Sequence, residues 1–122
     1  MNLEIVDGPA TPRPPSEVRF VAVTAEPYPD RRRIKLTYEI TPFLQRPGVE
    51  IRLQDPAGGN LGSITVVDLV GAHFSLTAHL RGVDPPPGSI RVVSTLGYDD
   101  LPDVDRHETT VELPAAAPHA GA

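Results

Sequence analysis

The eleven residues YDDLPDVDRHE, 98–108, gather five carboxylates, Asp99, Asp100, Asp103, Asp105 and Glu108, around His107. That density suits a hard cation, because calcium takes about six to eight oxygen ligands and one concave turn can supply several of them. The spacing is not that of a helix-loop-helix calcium site: no glycine falls inside the run and Pro102 stiffens its middle. The competing expectation is a solvated loop between the last two strands, whose charges discourage edge pairing and keep the domain soluble. His107 with Asp103 and Asp105 would make a transition-metal set only if other imidazoles joined it. His73 and His79 fall on a different predicted strand and His119 in the tail, so surface histidines are the simpler expectation.

A second group of residues is basic. Arg31, Arg32 and Arg33 with Lys35, the only lysine, sit at a loop-to-strand junction and could meet a phosphate or an acidic partner surface. Ordinary solvation and cross-strand pairing, with Glu50 for example, is the plainer account. No aromatic interleaves the cluster, and a net charge of −5 lacks the broad positive stripe that nucleic acid requires. Other chemistries are absent by composition. Without cysteine there is no disulfide, no thiolate nucleophile, no zinc–thiolate site and no blue-copper centre. There is no G-x-S-x-G elbow, and the glycine-rich stretches lack the following helix that a phosphate loop needs. Three Tyr, three Phe and no Trp are a thin supply of sugar-stacking platforms. The expectation is a non-enzymatic protein without a cofactor, calcium in the acidic run being the one exception.

The elements that must position these residues alternate clearly. At 122 residues the chain is one domain's worth, and its apolar fraction is mostly Val, Leu and Ile, which suit pleated surfaces. Ile34, Leu36, Tyr38 and Ile40 share one face of RIKLTYEIT; Val49, Ile51 and Leu53 share one face of VEIRLQD; Phe74, Leu76, Ala78 and Leu80 share one face of HFSLTAHL. VRFVAVTA alternates through Val18, Phe20 and Ala22. GSITVVDLV is less regular and predicts a short strand with a bulge or an edge position. SIRVVSTLGY and HETTVEL complete about seven strands at short, even spacing, with the 15 prolines and 10 glycines concentrated between them. The pattern predicts an all-β antiparallel sandwich over residues 17–113, preceded by an arm and Pro-rich spacer over 1–16 and followed by a flexible tail over 114–122.

The stretch HLRGVDPPPGSIRVVSTLGYDD, through Leu80, Val83, Pro87, Gly88, Ile90 and Val92, resembles the part of an immunoglobulin-like or fibronectin type III module where one strand ends at a leucine, crosses a Pro-Gly corner and enters the next. The resemblance is one of fold and spans roughly Val18 to Leu113. It implies a module that binds, spaces or scaffolds, so a protein partner or self-association is expected. The alternative is a ligand-binding module using the acidic run for calcium or a strand face for glycan. Leu3, Ile5 and Val6, in a short apolar segment before the spacer, are candidates for adding a strand to the chain's own sheet or to a neighbour's edge. No apolar run reaches the ~20 residues of a membrane helix. MNLEIVDGPATPRPPSE lacks the charge and apolar stretch of a secretory signal, which as written predicts a cytoplasmic protein.

Overall fold

The computed structural model describes residues 11–81 and 88–114. Among the described residues seven strands follow a 3-10 turn at Pro15–Glu17: β1 (Phe20–Pro27), β2 (Arg33–Ile40), β3 (Gly48–Gln54), β4 (Asn60–Val66), β5 (His73–His79), β6 (Ser89–Tyr98) and β7 (Leu101–Glu112). They form two antiparallel sheets, one ordered β1-β2-β5 and the other β4-β3-β6-β7. No α-helix occurs among the described residues, as the period-2 pattern predicts.

The predicted faces hold where alternation is cleanest. Ile34, Leu36, Tyr38 and Ile40 of β2 and Val49, Ile51 and Leu53 of β3 are all buried, and Ile90, Val92 and Leu96 of β6 meet them from the central position of the second sheet. β1 departs from expectation. Its register with β2 shifts between Phe20 and Ala22, so Val21 is left exposed and Val23 and Ala25, rather than Ala22, turn toward the core. One bulged residue moves every following side chain to the opposite face. β4 pairs only with β3 and is therefore an edge strand, while Val67 lies beyond its end and is exposed.

A polar contact crosses the core. Tyr38 of β2 and Ser94 of β6 share a hydrogen bond of 2.7 Å between their hydroxyls, both side chains fully enclosed. The Tyr38 ring stacks on Phe74 at 4.9 Å between centroids and lies 5.9 Å from Phe20. Burial pushes the Tyr38 phenol up to about 12, and the Ser94 hydrogen bond opposes that shift only in part.

The strand directions sort the connections into two ends. At one end lie residues 11–19, the β2–β3 connection, the β4–β5 connection and the β6–β7 turn; at the other lie the β1–β2 and β3–β4 turns. The first is the loop end of the sandwich and the second its turn end.

Candidate functional site

The acidic run is mostly strand, not loop. Asp99 and Asp100 alone make the turn, because Tyr98 and Leu101 already pair. Pairing then jumps to Leu96 opposite Asp105, so Pro102, Asp103 and Val104 bulge past Gly97. A methyl on Gly97 would overlap the Pro102 carbonyl, which explains a glycine in a buried, otherwise branched strand. From Asp105 onward β7 alternates. Asp105, His107 and Thr109 turn inward, and Arg106, Glu108 and Thr110 turn outward.

This geometry separates the five carboxylates. Asp105 reaches the other sheet, where its Oδ2 accepts the backbone N–H of Phe20 at 2.9 Å while its Oδ1 accepts that of Arg106. Glu108 pairs with Arg106 on the outer face. Only Asp99, Asp100 and Asp103 share one place, at the loop end. Among the described residues no three His, Asp or Glu side chains are grouped to hold a metal ion. His107 packs edge-on against Phe20 at 6.3 Å, its Nδ1 enclosed and without a hydrogen-bond partner, and it does not meet His73 or His79, which lie on β5.

The basic cluster occupies the β1–β2 turn, and much of it is committed locally. Asp30 accepts the N–H of Arg32 at 2.9 Å and the Nε of Arg33 at 2.7 Å, and these contacts hold its carboxyl below the usual range. The Arg33 guanidinium also lies 4.3 Å from the centre of the Tyr28 ring. Arg31 adopts φ 62°, a left-handed conformation that closes the turn. Lys35 stands exposed on β2 opposite Glu26. Glu50, the partner expected from sequence, belongs to the other sheet and pairs with Arg52. Leu3, Ile5 and Val6 lie outside the described residues, as do Val83 and Pro87.

The feature that sequence reasoning missed is the loop end itself. Its segments are bound to one another: Leu44 N–H to the Arg13 carbonyl at 3.0 Å, Leu69 N–H to the Pro47 carbonyl at 2.9 Å, and the Tyr98 hydroxyl to the Gln45 carbonyl at 2.9 Å. Partial burial raises the Tyr98 phenol above its ordinary value. A shallow groove of about 630 Å³ opens here across the outer face of the four-stranded sheet, lined among others by Arg46, Asp68, Tyr98, Asp99, Asp100 and Asp103. The exposed large apolar side chains among the described residues are Val21, Leu44, Val67, Val70 and Leu101, and all five lie at or beside this end. Val67 is 71% and Val70 85% exposed although Leu69 between them is buried. The sequence signal for this was the non-alternating end of GSITVVDLV: the short edge strand expected there is β4, which stops at Val66, and residues 67–70 form a loop turning at Asp68, φ 51°.

No family model matches the chain, and no curated protein sequence does. Solved structures match its fold. A β-glucuronidase from Ruminococcus gnavus in complex with D-glucaro 1,5-lactone superposes with a TM-score of 0.51 at 14% identity, over 81% of this chain and 16% of that one. A glycosyl hydrolase family 2 member from Bacteroides cellulosilyticus superposes with a TM-score of 0.52 at 14% identity, over 79% of this chain and 15% of that one. The match is therefore to a small β-sandwich portion of much longer chains.

Proposed function

We propose that this chain is a non-enzymatic β-sandwich module of immunoglobulin-like type that works within a larger assembly and makes its contacts through the loop end. The observation that carries the reading is the gathering of every exposed large apolar side chain of the described residues at one end, on connections already tied together by hydrogen bonds. A surface ordered before contact loses little conformational freedom on docking, and apolar patches kept exposed mark interaction sites. The immunoglobulin-like assignment is supported by the link between the second and sixth strands, where Tyr38 and Ser94 meet at the strand pair that antibody domains join by a disulfide. In the constant-type arrangement the fourth strand belongs to the first sheet. Here β4 joins β3 instead, which favours the fibronectin type III side of the resemblance. The solved structures that share the fold, in which it is a small part of a long chain, support a role as one unit among several.

The test is a photo-cross-linking side chain at position 67 or 70, read in cells of the organism that carries the chain, with Thr24 on the exposed face of β1 as control. A discrete adduct from the loop end and none from position 24 is expected. Equal labelling at all three positions, or no adduct at any, would remove the loop end as the working surface.

The groove favours a second reading, a glycan-binding module, because it combines Tyr98 with charged and hydroxyl side chains on a sheet face and because glycosidases share the fold. Nuclear magnetic resonance titration with uronic-acid oligosaccharides decides it. Shifts confined to Arg46, Thr95 and Tyr98 would support it, and an unchanged spectrum at millimolar sugar would end it.

A further inference from the structure

We infer that the entry segment Thr11-Pro12-Arg13-Pro14-Pro15 is a preformed polyproline II ligand for a partner protein with an aromatic-lined groove. The inference rests on the module reading above and names a class of partner for the loop end. Its basis is covalent before it is structural. Thr11, Arg13 and Pro14 each precede a proline, which drives a residue out of the helical region into extended conformation. Each proline ring also holds its own φ at about −65°. Pro14 accordingly stands at φ −68°, ψ 162°, within the spread of a polyproline II helix. Such a helix has roughly three residues per turn, so Pro12 and Pro15 fall on one edge, a single turn apart.

The fold then fixes this conformation. Arg13 donates its N–H to the Pro42 carbonyl at 2.9 Å and its carbonyl accepts the Leu44 N–H at 3.0 Å, which clamps the segment to the β2–β3 connection. The Glu17 N–H returns to the Pro14 carbonyl at 2.9 Å, and Val18 beyond it is wholly buried. Pro12 and Pro14 remain exposed and Pro15 half-buried, so the first two rings are left outside the core. Proline carries no N–H, so this stretch cannot continue a ladder and recruit a strand from a neighbour. It presents instead apolar rings on a rigid left-handed helix, the form that aromatic-lined grooves bind. Arg13 adds a cation beside them. Its Nη1 meets Glu17 at 3.3 Å with both side chains well exposed, and a surface pair of this kind contributes little. The guanidinium can therefore exchange Glu17 for a carboxylate at the rim of the groove. A segment clamped before contact loses little conformational freedom on binding.

Fluorescence titration tests this, because the chain has no tryptophan and the signal then comes from the groove alone. The probe is a panel of SH3 and WW domains with a tryptophan in the groove, titrated with the intact chain up to about 1 mM. The signal of at least one domain is expected to saturate. The intact chain should bind that domain at least ~3-fold more tightly than a free peptide of residues 11–17, the gain of a conformation fixed in advance. An excess of the peptide should displace the intact chain. Pro12→Ala with Pro14→Ala is expected to weaken binding at least ~10-fold. Pro29→Ala with Pro56→Ala, at exposed prolines of the turn end, should leave it unchanged, and both variants should keep the wild-type circular dichroism spectrum. No saturation with any domain overturns the inference. So does a free peptide that binds as well as the intact chain or better, and so does undiminished binding by the Pro12→Ala, Pro14→Ala variant. A chain that fails against the panel while its position 67 still cross-links to a discrete protein removes the polyproline ligand and leaves the module reading standing. Failure of the cross-link as well removes both.

Discussion

At the scale of single residues the molecule's most consequential pair is Tyr38 and Ser94. Their hydroxyls are enclosed in the core and bind each other. Tyr38→Phe leaves the Ser94 hydroxyl buried and unsatisfied, and Ser94→Ala does the same to Tyr38, so each single change should cost about 1–3 kcal/mol. The double variant should cost less than the sum of the two, with a coupling of roughly 1 kcal/mol in urea denaturation. Additive effects would show that the contact contributes nothing of its own. The same pair sets an alkaline limit. The phenol titrates near 10 when unfolded and near 12 when folded, so the folded state holds the proton more tightly. Its contribution is fully present below pH 10 and is lost as pH rises toward 12. Between those values stability should fall by about 1.4 kcal/mol for each step of one in pH. Tyr38→Phe should flatten that part of the stability profile.

The strands show how much could be read from residue order and where reading stops. Wherever one face is buried and the other wet, as in β2, β3 and β5, alternation locates the strand to within a residue or so of its bounds. β1 misleads because its bulge at Val21 inverts the period, a change that no composition announces. β7 misleads because a dense run of charge has the composition of a loop. Its carboxylates instead alternate between a core-facing bond to Phe20 and the solvent, which is compatible with a strand at the margin of a sheet. The loop end is invisible for a different reason, since proximity of four connections distant in sequence is a property of topology. Two predictions belong to these elements. Gly97→Ala must displace the Pro102 backbone and should lower stability by about 1–3 kcal/mol, seen as a reduced urea midpoint. Asp105→Ala frees the Phe20 N–H, and should cost about 1–2 kcal/mol and speed exchange of that amide above its neighbours in β1. Unchanged exchange at Phe20 would mean the two sheets are not joined there.

For the whole molecule, the dispersal of the carboxylates along β7 predicts that millimolar calcium leaves the melting temperature unmoved, because a ligand that binds only the native state must raise it. A rise of several degrees would restore a cation to the acidic run. Folding should be slow for the chain's size. β2 and β5 pair across the whole β3–β4 excursion, and β3 pairs with β6 across β4 and β5, so much of the loop-closure entropy is lost before the core is complete. Stopped-flow refolding should accordingly lie in the range of roughly milliseconds to seconds.

The path of the chain also has a mechanical side. The described residues enter at the loop end, through Thr11 to Ser16, and leave past Glu112 at the turn end, so tension between those points runs parallel to the strands. Antiparallel backbone bonds lie perpendicular to that direction and are loaded together, in shear, instead of being peeled one at a time. A module threaded in this way yields abruptly and resists until it does. Pulled by atomic force microscopy through Thr11 and Pro114, it should rupture at a single high peak; pulled through Thr11 and Asp100, both at the loop end, it should open at markedly lower force.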